Sequence, residues 1–432
     1  MYDLAIIGGG PSGYSAAFEA VKYGMSVVLF ERESIGGTCL NRGCVPTKFL
    51  AHVARKYYEA NICENEGISF QSVKIEFQKT LAHMNKIILS LRDGLDRQLE
   101  LDGVEVIKSD AKIVNASLII SNGHRYETKN ILIATGSAPA APIVAGAISS
   151  DELLKMDEIP KHLHIIGGGT IAVEFADAFR MLGSDVMISI RAERILRKWD
   201  KEIAVGVTHS LKKKGIQINK NCDFAVFPTS ADEVLLSAAG RKAVLPETSA
   251  DLFDTGTDGG ICVDKNGQTK TKGVFAAGDV LEGSCQLAHA AMEQGRRIVK
   301  TISNKEIEKE SALVQCIYLD QEVASVGLTE TEAKEKGIKI VTAKQNMSSN
   351  ARTLISTQER GFIKILADQN KRVIVGGQLM CERAGDIVPE ITLAINQEIT
   401  VDEMLSSIRP HPSYAEAVTE VLRSLKEKLD AI

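Results

Sequence analysis

Long apolar runs are missing from this 432-residue chain, and so is any large excess of charge of one sign. No stretch approaches the about 20 apolar residues that a membrane-crossing helix requires. With 44% apolar residues, 25% charged residues and a formal net charge of −5, nothing favours nucleic-acid or membrane binding as the main activity. An apolar strand is expected from Asp3, which leaves no room for a signal peptide. A second Cys/His pair at metal-ligand spacing is also lacking. Of eight cysteines, Cys63, Cys222, Cys262, Cys285, Cys316 and Cys381 are scattered without pattern, and none follows Cys381. These features point to a reducing cytoplasm, and the length to two or three domains.

What the chain does hold is the string Gly36–Lys48, GGTCLNRGCVPTK. Cys39 and Cys44 have four residues between them, so both can fall on one turn opening into a helix. Gly43 leaves that turn free of Cβ crowding, and Pro46 suits a first helical turn. A helix N-terminus beside Cys44, with the Lys48 cation one turn on, lowers a thiol pKa. This favours thiol–disulfide exchange, one cysteine facing outward and the other held inward. A structural disulfide fits poorly with a cytosolic chain, and half a zinc site lacks its other half.

Two strand–turn–helix units flank this chemistry. In DLAIIGGGPSG, Gly8, Gly10 and Gly13 have G-x-G-x-x-G spacing, and the strand SVVLFE ends at Glu31. Such glycines let backbone approach a pyrophosphate at a helix N-terminus, and the acid suits ribose hydroxyls. The second unit, HLHIIGGGTIAVEFADAF, carries Gly167, Gly169 and Ala172, and its following strand leads to Arg191, with Arg194 and Arg197 behind it. Two units imply two dinucleotides. Arginine where an acid would bind a 2′-hydroxyl suits a 2′-phosphate, and Ala172 leans the same way; a solvated basic surface is the alternative. Near the end, HPSYAE places His411 five residues before Glu416, an imidazole–carboxylate pair suited to general-base work near neutral pH.

Together these strings resemble the flavin-dependent pyridine nucleotide–disulfide oxidoreductases, over nearly the whole chain from Gly8 to Glu416. The resemblance implies an α/β fold: two Rossmann-like dinucleotide-binding domains, the second inserted in the first, plus an α+β C-terminal dimerisation domain. It divides the chain into 1–145 (FAD, first part), 146–262 (NAD(P), shortened), 263–308 (FAD, second part) and 309–432 (dimerisation). Cys39 is then the sulfur that exchanges with substrate, and Cys44 lies against the flavin. FAD is assigned to Gly8, Gly10, Gly13, Glu31, Arg32, Thr38, Ala111, Thr135, Gly136, Asp279 and Ala288. NAD or NADP is assigned to Gly167, Gly169, Ala172, Glu174, Arg191, Arg197 and Gly240, with Glu174 paired to Lys48 beside the flavin. His411 and Glu416 serve the partner subunit's site, so a homodimer is expected, without nucleic acid or membrane.

The sequence departs from the family between Lys214 and Gly240, where a hairpin is missing, and at Lys242-Ala243-Val244, where Arg-Pro-Asn is usual. CLNRGC, the LAH run and RPHPSYAE look closest to dihydrolipoamide dehydrogenase, with a small dithiol such as a lipoyl group as substrate. Arg191 pulls toward an NADPH-dependent reductase of a low-molecular-weight disulfide, although Glu19 speaks against glutathione. The absence of cysteine after Cys381 argues against the tail thiols of mercuric reductase. A non-catalytic flavoprotein subunit is the third reading, supported only by the shortened second domain.

Overall fold

The apolar strand before each glycine turn becomes an inner strand of a parallel sheet. In the computed structural model, which describes residues 1–224, 232–357 and 361–432, Leu4–Ile7 lies between Val27–Phe30 and Ile131–Ile133. Glu105–Ile107 and Val274–Ala276 complete five parallel strands. All residues of Leu4–Ile7 and Val27–Phe30 are buried, as strands covered on both faces should be. The second sheet repeats the arrangement: His162–Ile166 lies between Asp185–Ser189 and Glu233–Ser237, with Gln217–Asn219 outermost. The predicted missing hairpin falls largely on residues 225–231, which lie outside the described residues.

Two runs rich in apolar residues each divide between two strands. In VEVIKSDAKIV, Glu105–Ile107 joins the first parallel sheet, and Lys112–Asn115 enters a separate sheet with Leu118–Ser121 and His124–Glu127. Lys108-Ser109-Asp110 turns the chain, with the Ser109 N–H donating to the Ile107 carbonyl and Ser121 Oγ to that of Asp110. CIYLDQEVASVGLT likewise becomes Val314–Ile317 and Val323–Gly327, joined antiparallel across a turn.

Residues 247–262 pack with the first unit. Glu247–Thr248 pairs with Lys112–Ile113, and Leu252 and Ile261 are buried among Ile7, Phe30 and Ile131 of the first unit. The cause lies just upstream, where Arg241–Ala243 pairs antiparallel with Ser137–Pro139 and brings the chain back beside the point at which it left.

The C-terminal sheet runs Val314–Ile317, Val323–Gly327, Ile374–Met380, Phe362–Asp368, Ile340–Asn346, antiparallel throughout. Helices Ala384–Asn396 and Glu416–Asp430 bury their apolar faces on it. One apolar cluster joins Leu50 and Ala54 of helix Cys44–Ile62 to Phe175 of helix Thr170–Met181 and Val323 and Met380 of this sheet. Three parts of the fold are thereby fixed around one helix. Among the described residues, no helix is long and apolar enough to cross a membrane.

Candidate active site

The cysteine string folds as a six-residue helix, Gly37–Arg42, broken at Gly43 and followed by helix Cys44–Ile62. A Cβ on Gly43 would lie 2.9 Å from the Thr38 carbonyl oxygen, so only glycine closes this corner without pushing. Cys39 and Cys44 meet across it as a disulfide, with their Cα atoms 4.6 Å apart. The side-chain amide of Asn41 donates to the carbonyls of Ile35 and Gly37, each at 3.0 Å, and fixes the short helix. Cys44 is the first residue of its helix, and no side chain caps that end. The uncapped N–H groups and the dipole favour negative charge on its sulfur once the disulfide opens.

This turn rests directly on the first glycine turn. Gly36 N–H donates to the Gly9 carbonyl at 2.8 Å, and a Cβ on Gly37 would come within 2.7 Å of Gly10 Cα. Gly8 has φ +108°, and Gly13 passes so near Gly8 that a Cβ would stand 1.9 Å from the Gly8 oxygen. The helix after it, Pro11–Lys22, has no side-chain cap, and Ser12 Oγ is buried there without a partner among the described residues. A pyrophosphate supplies acceptors for both, so the turn fits a dinucleotide. Glu31 Oε2 accepts from the Gly9 N–H and Oε1 from the Glu33 N–H, both at 2.8 Å. Arg32 is exposed, Ala111 packs at the edge of the sheet core, and Ala288 opens helix Ala288–Ile302.

A polar network ties the cysteine helix to the other predicted FAD residues. Arg241 Nη2 reaches Thr38 Oγ1 at 3.4 Å, and its Nε donates to Ser137 Oγ at 3.0 Å. Ser137 Oγ donates in turn to Asp279 Oδ2 at 2.7 Å. Asp151 stands between Arg241 and Arg42, at 3.3 and 3.5 Å. Thr135 Oγ1 bonds the Val244 carbonyl, and the Val244 N–H returns to Gly136. Sequence reasoning missed Asp151 and the part played by Arg241, which lies 203 positions from Thr38.

Lys48, one turn beyond Cys44, forms a bidentate pair with Glu174, Nζ lying 3.0 and 2.8 Å from the two oxygens. Glu174 also accepts from the Tyr318 N–H at 2.9 Å, and Lys48 Nζ sits 4.7 Å from the centroid of the Tyr318 ring. Burial pushes the Tyr318 phenol up to about 12 and the Cys316 thiol up to about 11, so both are neutral neighbours of the pair.

At the second glycine turn Gly167 has φ +125°, with room for no Cβ beside the Ala238 carbonyl, and Ala172 is fully buried at the position matching Gly13. Gly169 caps helix Thr170–Met181 without a side-chain bond, and Gly240 takes φ +95° where the chain turns back. Past the neighbouring strand, Arg191 is exposed with its guanidinium 5.2 Å from the Phe224 centroid, and Arg197 is exposed. Arg194 is turned away, donating to the carbonyls of Leu196, Arg197 and Trp199.

His411 lies on the C-terminal unit, 72% exposed, with Nδ1 2.7 Å from Glu416 Oε1. The Ser413 N–H donates to the other oxygen at 2.8 Å, and that bond, with the His411 contact, holds Glu416 below the usual carboxylate range. An ionised carboxylate only accepts, so Nδ1 carries the proton and Nε2 presents its lone pair outward. Among the described residues no hydrogen bond joins His411 to the disulfide of its own chain.

A protein-family comparison matches residues 2–295 to the pyridine nucleotide-disulphide oxidoreductases and residues 313–422 to the dimerisation domain of the same family. A mercuric reductase of Lysinibacillus sphaericus is 31% identical, the match covering 96% of this chain and 81% of that protein. A dihydrolipoyl dehydrogenase of Bacillus subtilis is also 31% identical, covering 97% and 95%. Among solved structures, the HOCl-induced flavoprotein disulfide reductase RclA from Escherichia coli superposes with a TM-score of 0.87 at 25% identity, over 98% of this chain and 99% of that one. LpdA from Mycobacterium tuberculosis shares the fold with a TM-score of 0.89 at 24% identity, over 98% and 99%. The chain therefore belongs to the pyridine nucleotide–disulphide oxidoreductases, enzymes that use FAD and NAD(P).

Proposed function

We propose that the chain is a dihydrolipoamide dehydrogenase-like enzyme that moves an electron pair between a small dithiol or disulfide and NAD(P). The observation that carries this reading is the Cys39–Cys44 disulfide at a helix start, with the Lys48–Glu174 pair one turn later. In the dithiol-oxidising direction, Nε2 of His411 from a second copy takes the proton of a substrate thiol. The thiolate attacks Cys39 Sγ, the Cys39–Cys44 bond breaks, and Cys44 leaves as a thiolate. The second substrate thiol attacks the substrate sulfur of the mixed disulfide, the bond to Cys39 breaks, and the thiol's proton passes to the departing Cys39 sulfur. The substrate leaves oxidised and the two cysteines are left reduced. FAD and the nicotinamide, when bound, supply the two-electron transfer that reoxidises them. Lys48 and the uncapped helix start balance charge on Cys44, and Glu174 holds Lys48 beside the place where a bound flavin would meet the nicotinamide, a second role that belongs to the nicotinamide half of the reaction.

The dimerisation segment supports a homodimer, with Glu416 orienting His411 toward the partner's disulfide. For the nucleotide domains we propose a boundary near Gly240, because residues 247–262 pack with the first unit. A second reading, an NADPH-dependent reductase of a small disulfide, is favoured by Arg191 and Arg197, two exposed cations past the strand where an NAD site places an acid. Parallel assays of dihydrolipoamide with NAD⁺ and NADP⁺, and of lipoamide, glutathione disulfide and cystine with NADH and NADPH, separate the two. Fast NAD⁺-dependent oxidation of dihydrolipoamide supports the first. NADPH oxidation by a small disulfide, with little from NADH, supports the second.

A further inference from the structure

Glu174 is one of two carboxylates on the same face of helix Thr170–Met181. Asp177 lies three residues later, with its side chain 2% exposed. Both hold the same short segment of the C-terminal unit: Tyr318 N–H donates to Glu174 at 2.9 Å, and Asp320 N–H to Asp177 Oδ2 at 2.7 Å. Lys214 lies between the two acids of this second contact, Nζ 2.7 Å from Asp177 Oδ1 and 3.0 Å from Asp320 Oδ2. The other oxygen of Asp320 faces Arg55 Nε at 3.5 Å, and Arg55 reaches Glu382 at 2.9 Å. Arg55 sits about two turns beyond Lys48 on the same helix. Segment 318–320 thus straps helix Cys44–Ile62 to helix Thr170–Met181 at two levels, one of which is the Lys48–Glu174 pair.

Burial works against a charge on Lys214, but Asp177 and Asp320 outweigh it and keep the amine cationic. Apolar side chains of similar volume would stabilise this place as well or better, since a buried ion pair is weak evidence for stability. What apolar contacts lack is direction. Each oxygen of Asp177 has its own donor, so the rotation of the helix and the height of the strap are both set.

We infer that Asp177, Lys214 and Asp320 are positioning residues for the nicotinamide half of the reaction, holding Glu174 where it directs Lys48 toward the bound flavin. The inference rests on the proposed role of the Lys48–Glu174 pair. It is tested with full-length dimeric holoenzyme carrying Asp177→Asn, Lys214→Met, Lys214→Arg or Lys48→Met. Anaerobic stopped-flow records flavin bleaching on mixing with NADH or NADPH, and separately on mixing with dihydrolipoamide.

Asp177→Asn and Lys214→Met are expected to slow bleaching by nicotinamide by about 10–100-fold, the size of effect that misplacement by an ångström produces. Bleaching by the dithiol should slow much less, because the uncapped start of helix Cys44–Ile62 also balances charge on Cys44, and Lys214→Arg should recover most of the nicotinamide rate. Should Lys214→Met fail to fold, the near-isosteric Asp177→Asn carries the test. Equal slowing of both half-reactions, as a general structural role would give, overturns the inference, and so does no slowing of either. A slow Lys48→Met beside an unaffected Asp177→Asn overturns this inference alone. A Lys48→Met enzyme with a normal nicotinamide half-reaction removes the proposed role of the pair, and this inference with it.

Discussion

Replacing Glu416 by glutamine removes a charge and almost no volume, and two hydrogen bonds decide the consequence. The carboxylate accepts from two donors, His411 Nδ1–H at 2.7 Å and Ser413 N–H at 2.8 Å. A glutamine amide has a single oxygen, so one of those two donors must meet an NH₂ group. If Ser413 keeps the oxygen, the imidazole relieves the clash by carrying its proton on Nε2, the atom proposed as the base. If His411 keeps it, the Ser413 N–H loses its acceptor and the turn that carries the ring is no longer fixed. Either outcome removes oriented base catalysis, which contributes about 10²–10⁴-fold where it operates. Stability should change little, because His411 is exposed, Glu416 is only partly buried, and an acid in the first turn of a helix contributes only about 0.3–1 kcal/mol. The assay is the dithiol half-reaction of Glu416→Gln by stopped-flow, with flavin content and the nicotinamide half-reaction as controls. A loss of about 100-fold or more with both controls intact is expected. A dithiol half-reaction within about 3-fold of the unsubstituted enzyme would refute the role given to this pair.

Particular contacts fix three further outcomes. Gly13→Ala puts a Cβ 1.9 Å from the Gly8 oxygen, and the helix cannot retreat because Gly295 already lies against the Ser12 carbonyl, so purified protein should carry little FAD by absorbance. Lys364, 2% exposed among Asp200, Glu202 and Glu330, pins the C-terminal sheet to helix Lys201–Lys213. Lys364→Met leaves Asp200 buried without its cation but still capping that helix, so denaturant unfolding should register a loss near about 3 kcal/mol, the low end for a broken buried pair. Asp3 is lowered from 3.8 to about 2, first by its bond from Lys129 and then by Ser26. Its contribution is present above pH 3.8 and is lost as pH falls toward about 2, so Asp3→Asn should flatten the decline of the thermal midpoint across that window.

The parts of this fold that the sequence makes legible are those where backbone must approach backbone. Gly8, Gly13 and Gly43 are dictated by contacts too close for a side chain, and such positions leave fixed spacings. The two nucleotide units and the cysteine corner are therefore visible as strings, and the HPSYAE turn is visible because His411 and Ser413 both bond to Glu416 only a few residues on. Asp177, Lys214 and Asp320 leave no string: they meet from three distant segments, and each alone looks like an ordinary charged residue. Arg194 comes after Arg191 in the sequence as a second outward cation, yet three carbonyls within reach draw it inward. Strand His124–Glu127 is polar and mostly exposed, so it lacks the apolar alternation that marks a half-buried strand. Residues 247–262 join the first unit through a ladder with Lys112–Ile113, a partner so far upstream that no local pattern announces it.

The central claim is that electrons pass through the Cys39–Cys44 pair, and counting them tests it most directly. Anaerobic titration of the flavoprotein with dithionite, monitored by flavin absorbance and by thiol counting, should take up two electron pairs per subunit, one on the flavin and one opening the disulfide. Cys44→Ser should take up one. Uptake of a single pair by the unsubstituted protein, with no new thiols, would contradict the account.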